Sequence, residues 1–168
     1  MHSCKIATAC TFAVALLSAP VRADDLALQT LIDKAEIEAL VVRYVTALDT
    51  LDAEMYAGVF AEDAVFDVTG TVYEGRAAIR KIVTDLQESR ARTIADGGEP
   101  TALYHVISNS SIDLVDDDEA RHTSYAQTVR SAENGQFVVG FMGRYEDVII
   151  KRDGRWQILS RKLVSFVR

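Results

Sequence analysis

"GRYEDVIIKRDGRWQILSRKL", residues 143–163, consists of two apolar-rich runs hinged on Arg152-Asp153-Gly154. An Asp-Gly pair between such runs signals a tight turn, so the stretch predicts a hairpin of strands over 137–150 and 155–166. Working toward the N-terminus, "ENGQ" (133–136) and "DDDE" (116–119) punctuate two more such runs, over about 102–115 and 120–132. Four consecutive strands joined by tight turns make an antiparallel meander.

Upstream the period changes. Residues 31–49 place Ile37, Leu40, Val41, Tyr44, Val45 and Leu48 at steps of three and four, one buried helical stripe with Asp49 at its end. Asp52 is a good N-cap for a short second helix packing through Met55, Tyr56, Val59 and Phe60. "AVFDV" (64–68) and "TVYE" (71–74) flank Thr69-Gly70 as a short hairpin. Gly75 then opens a third helix with Ile79, Ile82, Val83 and Leu86 inward, and periodicity is lost from Arg90 to Thr101, where "DGGEP" (96–100) marks a mobile loop, a lid or a plain connector.

This order predicts an α+β domain in which helices cover one face of a curved sheet. On the third long strand Phe137, Val139, Phe141, Tyr145 and Ile149 share one face, and Val138, Met142, Val148 and Ile150 the other. Both faces are mostly apolar. A one-sided sheet would alternate apolar with polar, so the second face is expected to be covered by another copy of the chain, making a homo-oligomer.

Residues 1–23 read as an export signal: Lys5, an apolar run from Ile6 to Pro20, and Val21-Arg22-Ala23 at the cleavage position. A membrane span needs roughly 20 apolar residues, and this run is shorter and broken by Pro20, so an uncleaved anchor is the less favoured alternative. The expectation is a periplasmic or secreted protein comprising residues 24–168, a single domain. Both cysteines, Cys4 and Cys10, fall in the signal, so the remainder has neither disulfide nor thiolate. Removing Lys5 and Arg22 takes the formal net charge from −7 to −9. Such an acidic chain is not suited to nucleic acid or to an anionic membrane surface. Only His105 and His122 remain to supply imidazole.

The succession "VVRYVTALDTLDAEMYAGVFAEDAVFDV" (41–68), "YEGRAAIRKI" (73–82), "YHVISN" (104–109) and residues 143–163 resembles the SnoaL-like branch of the nuclear-transport-factor-like superfamily, from about Leu31 to the C-terminus. That group includes polyketide cyclases, scytalone dehydratase, a hexachlorocyclohexane dehydrochlorinase and cofactor-free lyases, as well as non-enzymatic binders. The resemblance implies a cone-shaped α+β barrel: three N-terminal helices packed on a strongly curved, mostly antiparallel sheet, with a pocket between them, assembled as a dimer or trimer. It also implies a paired Asp and His, matched here by Asp49 in "ALDTLD" and His105 in "LYHVISN". Leu48 stands where the fungal dehydratase has a tyrosine, and His122 does not fall onto the second histidine of that enzyme.

Apart from the resemblance, a neutral imidazole accepts a proton near pH 7, and a carboxylate on its other nitrogen fixes the tautomer and stabilises the imidazolium. This suits proton abstraction followed by elimination, isomerisation, aldol-type cleavage or cyclisation of a hydrophobic, ring-bearing small molecule in a pocket lined by apolar and aromatic side chains, without metal or cofactor. Each residue also has a plainer role: His105 a hydrogen-bonded core residue, Asp49 a helix end. Tyr56, Asn109, Tyr125 and Tyr145 are candidates for substrate contact, with Tyr125 and Tyr145 as oxyanion donors or packing residues. His122, beside Arg121 near a turn, reads as solvated, and Asp147 with Arg161 as an ion pair between neighbouring strands. Among other chemistries, the two histidines are too far apart in sequence for a metal motif. Gly97-Gly98 is followed by Glu99 and Pro100 with no lysine to hold phosphate. No Gly-x-Ser-x-Gly elbow supports a serine triad, and Ser108, Ser110 and Ser111 read as strand-end residues. A lyase or isomerase, a non-catalytic binding module and an assembly domain remain open at this stage.

Overall fold

The structure, a computed structural model, describes residues 23–132 and 134–166. The predicted signal therefore lies outside the described residues except for Ala23, where helix α1 (Ala23–Thr50) begins. Helix α2 (Ala53–Gly58), strands β1 (Phe60–Val68) and β2 (Thr71–Glu74), helix α3 (Arg76–Ala95) and strands β3 (Leu103–Leu114), β4 (Glu119–Ser131), β5 (Phe137–Arg152) and β6 (Arg155–Ser165) follow. The three helices cover one face of a curved, unclosed six-stranded sheet of order β2-β1-β6-β5-β4-β3. The expected meander is β3 to β6, antiparallel throughout, and only the β1–β6 pair is parallel.

The α1 stripe buries Asp33, Ile37, Leu40, Val41, Tyr44, Ala47 and Leu48, steps of three and four that turn one side of the helix to the sheet. There they meet Phe60, Phe66, Ile79, Val83, Tyr145, Ile149, Trp156 and Ile158 in one core. Asp33 is buried because its Oδ1 accepts from Lys151 Nζ at 2.6 Å and Trp156 Nε1 at 3.0 Å.

Two element boundaries differ from the sequence reading. Helix α2 stops at Gly58, and Phe60 belongs to β1, where it pairs with Ile158. Helix α3 runs on to Ala95, past the point where its apolar stripe ends. Its last turns stay mostly exposed, so they carry no stripe, while Arg90, Ala91 and Arg92 are good helix formers.

The face assignment in β5 is also corrected. The register passes from Thr128↔Phe141 to Val129↔Val139, leaving Gly140 without a partner. This bulge puts Val138 on the helix-covered face and Val139 on the outer one, the reverse of simple alternation. The outer face carries Tyr104, Val106, Tyr125 and Met142, all substantially exposed, but also the Arg144–Glu146 ion pair.

Candidate active site

Asp49 is positioned by a sharp corner. Leu51 adopts a left-handed backbone (φ 56°). Its N–H donates to the Leu48 carbonyl at 3.3 Å, and the Asp52 N–H to the Ala47 carbonyl at 2.8 Å, which is a Schellman closure of α1. Asp52 then accepts from the Glu54 and Met55 N–H groups through Oδ1 and starts α2. Gln87 Nε2 of α3 donates to the Leu51 carbonyl at 2.7 Å and fixes the corner from the other side. Asp49 is thus held in the last turn of α1, where the helix dipole disfavours negative charge. Donors from outside the helix must compensate.

β3 supplies them. It is the edge strand, with one row of backbone groups unpaired by the sheet. The His105 N–H donates to Asp49 Oδ1 at 3.0 Å and its ring Nδ1 lies 2.6 Å from the same oxygen. A carboxylate only accepts, so Nδ1 carries a proton, and in the neutral ring the lone pair is on Nε2. Both side chains are largely but not fully buried, at 14% and 19% exposure for His105 and Asp49. The arrangement is a base with a fixed tautomer, open to a small reactant.

Asp49 and His105 line a cleft of about 260 Å³ between the end of α1, α3 and the start of β3. Leu48, Leu51, Leu86 and Leu103 form its apolar walls. Arg90 of α3 and Glu99 of the 96–100 loop are its other charged lining groups. The walls are aliphatic, and the aromatic part of the expected lining is not seen here. Across the sheet, register sets His105 beside Thr128 and Phe141 on the same face.

The four further residues considered for substrate contact do not line this cleft. Tyr56 and Tyr145 are buried in the core, where the rings of Tyr44 and Tyr56 lie 5.2 Å apart and Tyr145 shares a 3.1 Å hydroxyl contact with Tyr44. Burial, with Tyr44 beside them, pushes both phenols well above their ordinary range. Tyr125 faces outward and packs edge-on against Phe166. Asn109 sits at a bulge with φ 52°.

His122 is not solvated. It is fully buried, with Nδ1 2.7 Å from Asp147 Oδ2 and Nε2 3.1 Å from Ser110 Oγ. Asp147 and Arg161 form the expected cross-strand pair, bidentate at 2.8 and 2.7 Å. The guanidinium is sandwiched 4.0 Å from the Tyr44 ring centre and 4.3 Å from that of Tyr145. Ser110 is no strand-end residue; it lies within β3. Sequence alone gave no signal for the contact of His122 with Ser110, because it depends on the bulge at Asn109. Among the described residues no group of three or more potential ligands is placed to hold a metal, and no helix is long and apolar enough to cross a membrane.

Three helices on a curved, unclosed sheet define the nuclear-transport-factor-like class of α+β proteins. The SnoaL-like domain matches residues 29–162, and the chain belongs to that family. Among solved structures it is similar to a protein of unknown function from Mycobacterium tuberculosis, at 28% identity over 86% of this chain and 78% of that one, with a TM-score of 0.71. It is similar also to a nuclear-transport-factor-like protein with a cystatin-like fold from Novosphingobium aromaticivorans, at 26% identity over 87% and 91%, TM-score 0.72. A provisionally assigned scytalone dehydratase from the same organism shares the fold at 24% identity over 84% and 89%, TM-score 0.66. No curated protein matches the chain.

Proposed function

We propose that this protein is a cofactor-independent lyase or isomerase of a hydrophobic, ring-bearing small molecule, with His105 Nε2 as general base and Asp49 orienting and stabilising it. The observation that carries the reading is the 2.6 Å Nδ1–Asp49 contact, made by a carboxylate that also holds the backbone N–H of the same histidine. One carboxylate therefore fixes position, tautomer and charge together. The leucine-walled cleft favours an apolar ring, and membership of a family that includes cofactor-free lyases agrees with this chemistry. We place the protein in the periplasm or outside the cell, on the export signal read in residues 1–23, and as a homo-oligomer through its outer sheet face.

The test is mass spectrometry of ring-bearing alcohols, halides and enones incubated with the protein. A product lighter by water, formaldehyde or acid identifies a lyase, and a new retention time at unchanged mass an isomerase. His105→Ala and Asp49→Asn should each lower turnover by roughly 10²- to 10⁴-fold with the circular dichroism spectrum unchanged. Full activity in either variant refutes the mechanism. A compound that co-purifies unchanged with both the native protein and His105→Ala would instead make the cleft a binding site.

A further inference from the structure

The chain Asp147–His122–Ser110 takes no part in the chemistry at His105. Its geometry is that of an activated serine. Asp147 accepts only, so the His122 Nδ1 proton points at it, and Nε2 is left to accept from the Ser110 hydroxyl at 3.1 Å. Arg161 binds both carboxylate oxygens and holds Asp147 in place and charged.

Ser110 reaches His122 because of a local departure from strand geometry. Ile107 faces the helices, so simple alternation would send Ser110 to the opposite, outer face. The register shift between Ser108 and Ser111, with Asn109 at φ 52°, turns Ser110 back to the side of His122. Asn is one of the few non-glycine residues that readily adopt this left-handed conformation, so the bulge is compatible with its sequence. The residue so placed is exposed, whereas His122 beneath it is fully buried.

Ser110 also opens onto a second groove, of about 370 Å³, between α1 and the edge of β3, walled by Val41, Val42, Val45 and Ile107 with Glu38 and Thr46 beside them. The His105 N–H turns outward from the sheet to reach Asp49, so by the period of two the Ile107 N–H also faces outward, toward this groove.

We propose that Ser110 is the nucleophile of a second, acyl-transferring site, with His122 as its base and Asp147 orienting the histidine, acting on uncharged esters whose acyl part is apolar. Ser110 Oγ bonds to the ester carbon as its proton passes to His122 Nε2. The ester C–O bond breaks and the alcohol leaves with that proton. Water, deprotonated by His122, attacks the acyl-serine, and the carboxylic acid is released with Ser110 restored. Arg161, so close to Asp147, tempers the imidazolium, so acylation rather than rapid turnover is the observable.

The test uses the full chain with a fluorophosphonate probe and with 4-nitrophenyl butyrate. Expected are one phosphonyl adduct per chain, mapped to Ser110, and a burst of 4-nitrophenolate. Ser110→Ala should lose both with the circular dichroism spectrum unchanged, while His105→Ala and Asp49→Asn keep both, which separates this site from the one at His105. His122 is buried and its replacement endangers the fold, so Ser110→Cys is the second variant. A thiol paired with His122 should react with iodoacetamide at neutral pH at least about tenfold faster than free cysteine. The proposal is overturned by the absence of an adduct, by an adduct that survives Ser110→Ala, or by alkylation of the Ser110→Cys thiol no faster than that of free cysteine.

Discussion

Asp147 accepts from three donors on two side chains, all of them inside the core. Burial by itself would raise its pKa, but the charge and hydrogen bonds of Arg161, helped by His122, outweigh burial and hold it below its ordinary value of 3.8. A carboxyl depressed in the folded state stabilises the fold above its unfolded pKa, and that stability is lost as pH falls through the folded value. The protein should therefore lose stability progressively below pH 3.8, and Asp147→Asn should flatten that part of the profile in denaturant titrations. Asp147→Ala, which leaves Arg161 buried without a counter-ion, should cost about 3–5 kcal/mol at pH 7. A change within error would show that the guanidinium is satisfied by its two tyrosines instead. The Asp147–Arg161 pair was legible as two opposite charges on adjoining strands, although an unbroken hairpin register from Arg152↔Arg155 would have set Asp147 against Ser160. His122 was not legible, since its neighbours in sequence are polar and its partners come from other strands.

At the scale of elements, bulges decide what the alternating pattern leaves open. The pattern located all four long strands but not the shifts at Asn109, Gly140 and Val148–Ile149, because an extra residue changes the face without changing composition. Gly143 shows a related constraint. A Cβ there would lie 2.4 Å from the Val164 carbonyl oxygen and 2.7 Å from the Phe141 ring, which folds over this position and shares the face of His105. Gly143→Ala should destabilise by about 1–3 kcal/mol in denaturant unfolding and displace Phe141 toward the cleft. An unchanged midpoint would mean that both the ring and the Val164 backbone give way without cost. The helices were read from their stripes, so their ends were read short wherever a turn left the core: α3 continues to Ala95 for reasons of propensity and not of burial.

For the whole molecule, the layered order and the antiparallel meander followed from the sequence, and so did the meeting of Asp49 with His105. The meeting itself rests on the family resemblance, since no local period connects residues 56 positions apart. The outer sheet face is the remaining global feature. Tyr104 (50% exposed) and Val106 (44%) lie there with Tyr125 and Met142, an apolar surface that an isolated domain seldom leaves open. Light scattering at micromolar concentration should give more than one chain per particle, and Val106→Lys should shift it to one. A monomer before substitution would remove the oligomer from the account.

Asp49 also does something that concerns the sheet and not the chemistry. By accepting the His105 N–H it takes the place of a neighbour for a strand that has none on that side, and so it ties an otherwise free border to a helix. The His105 amide is therefore a clock for the cleft: its hydrogen exchange, slow while helix and strand stay joined, times each occasion on which they come apart, with no substrate needed to read it.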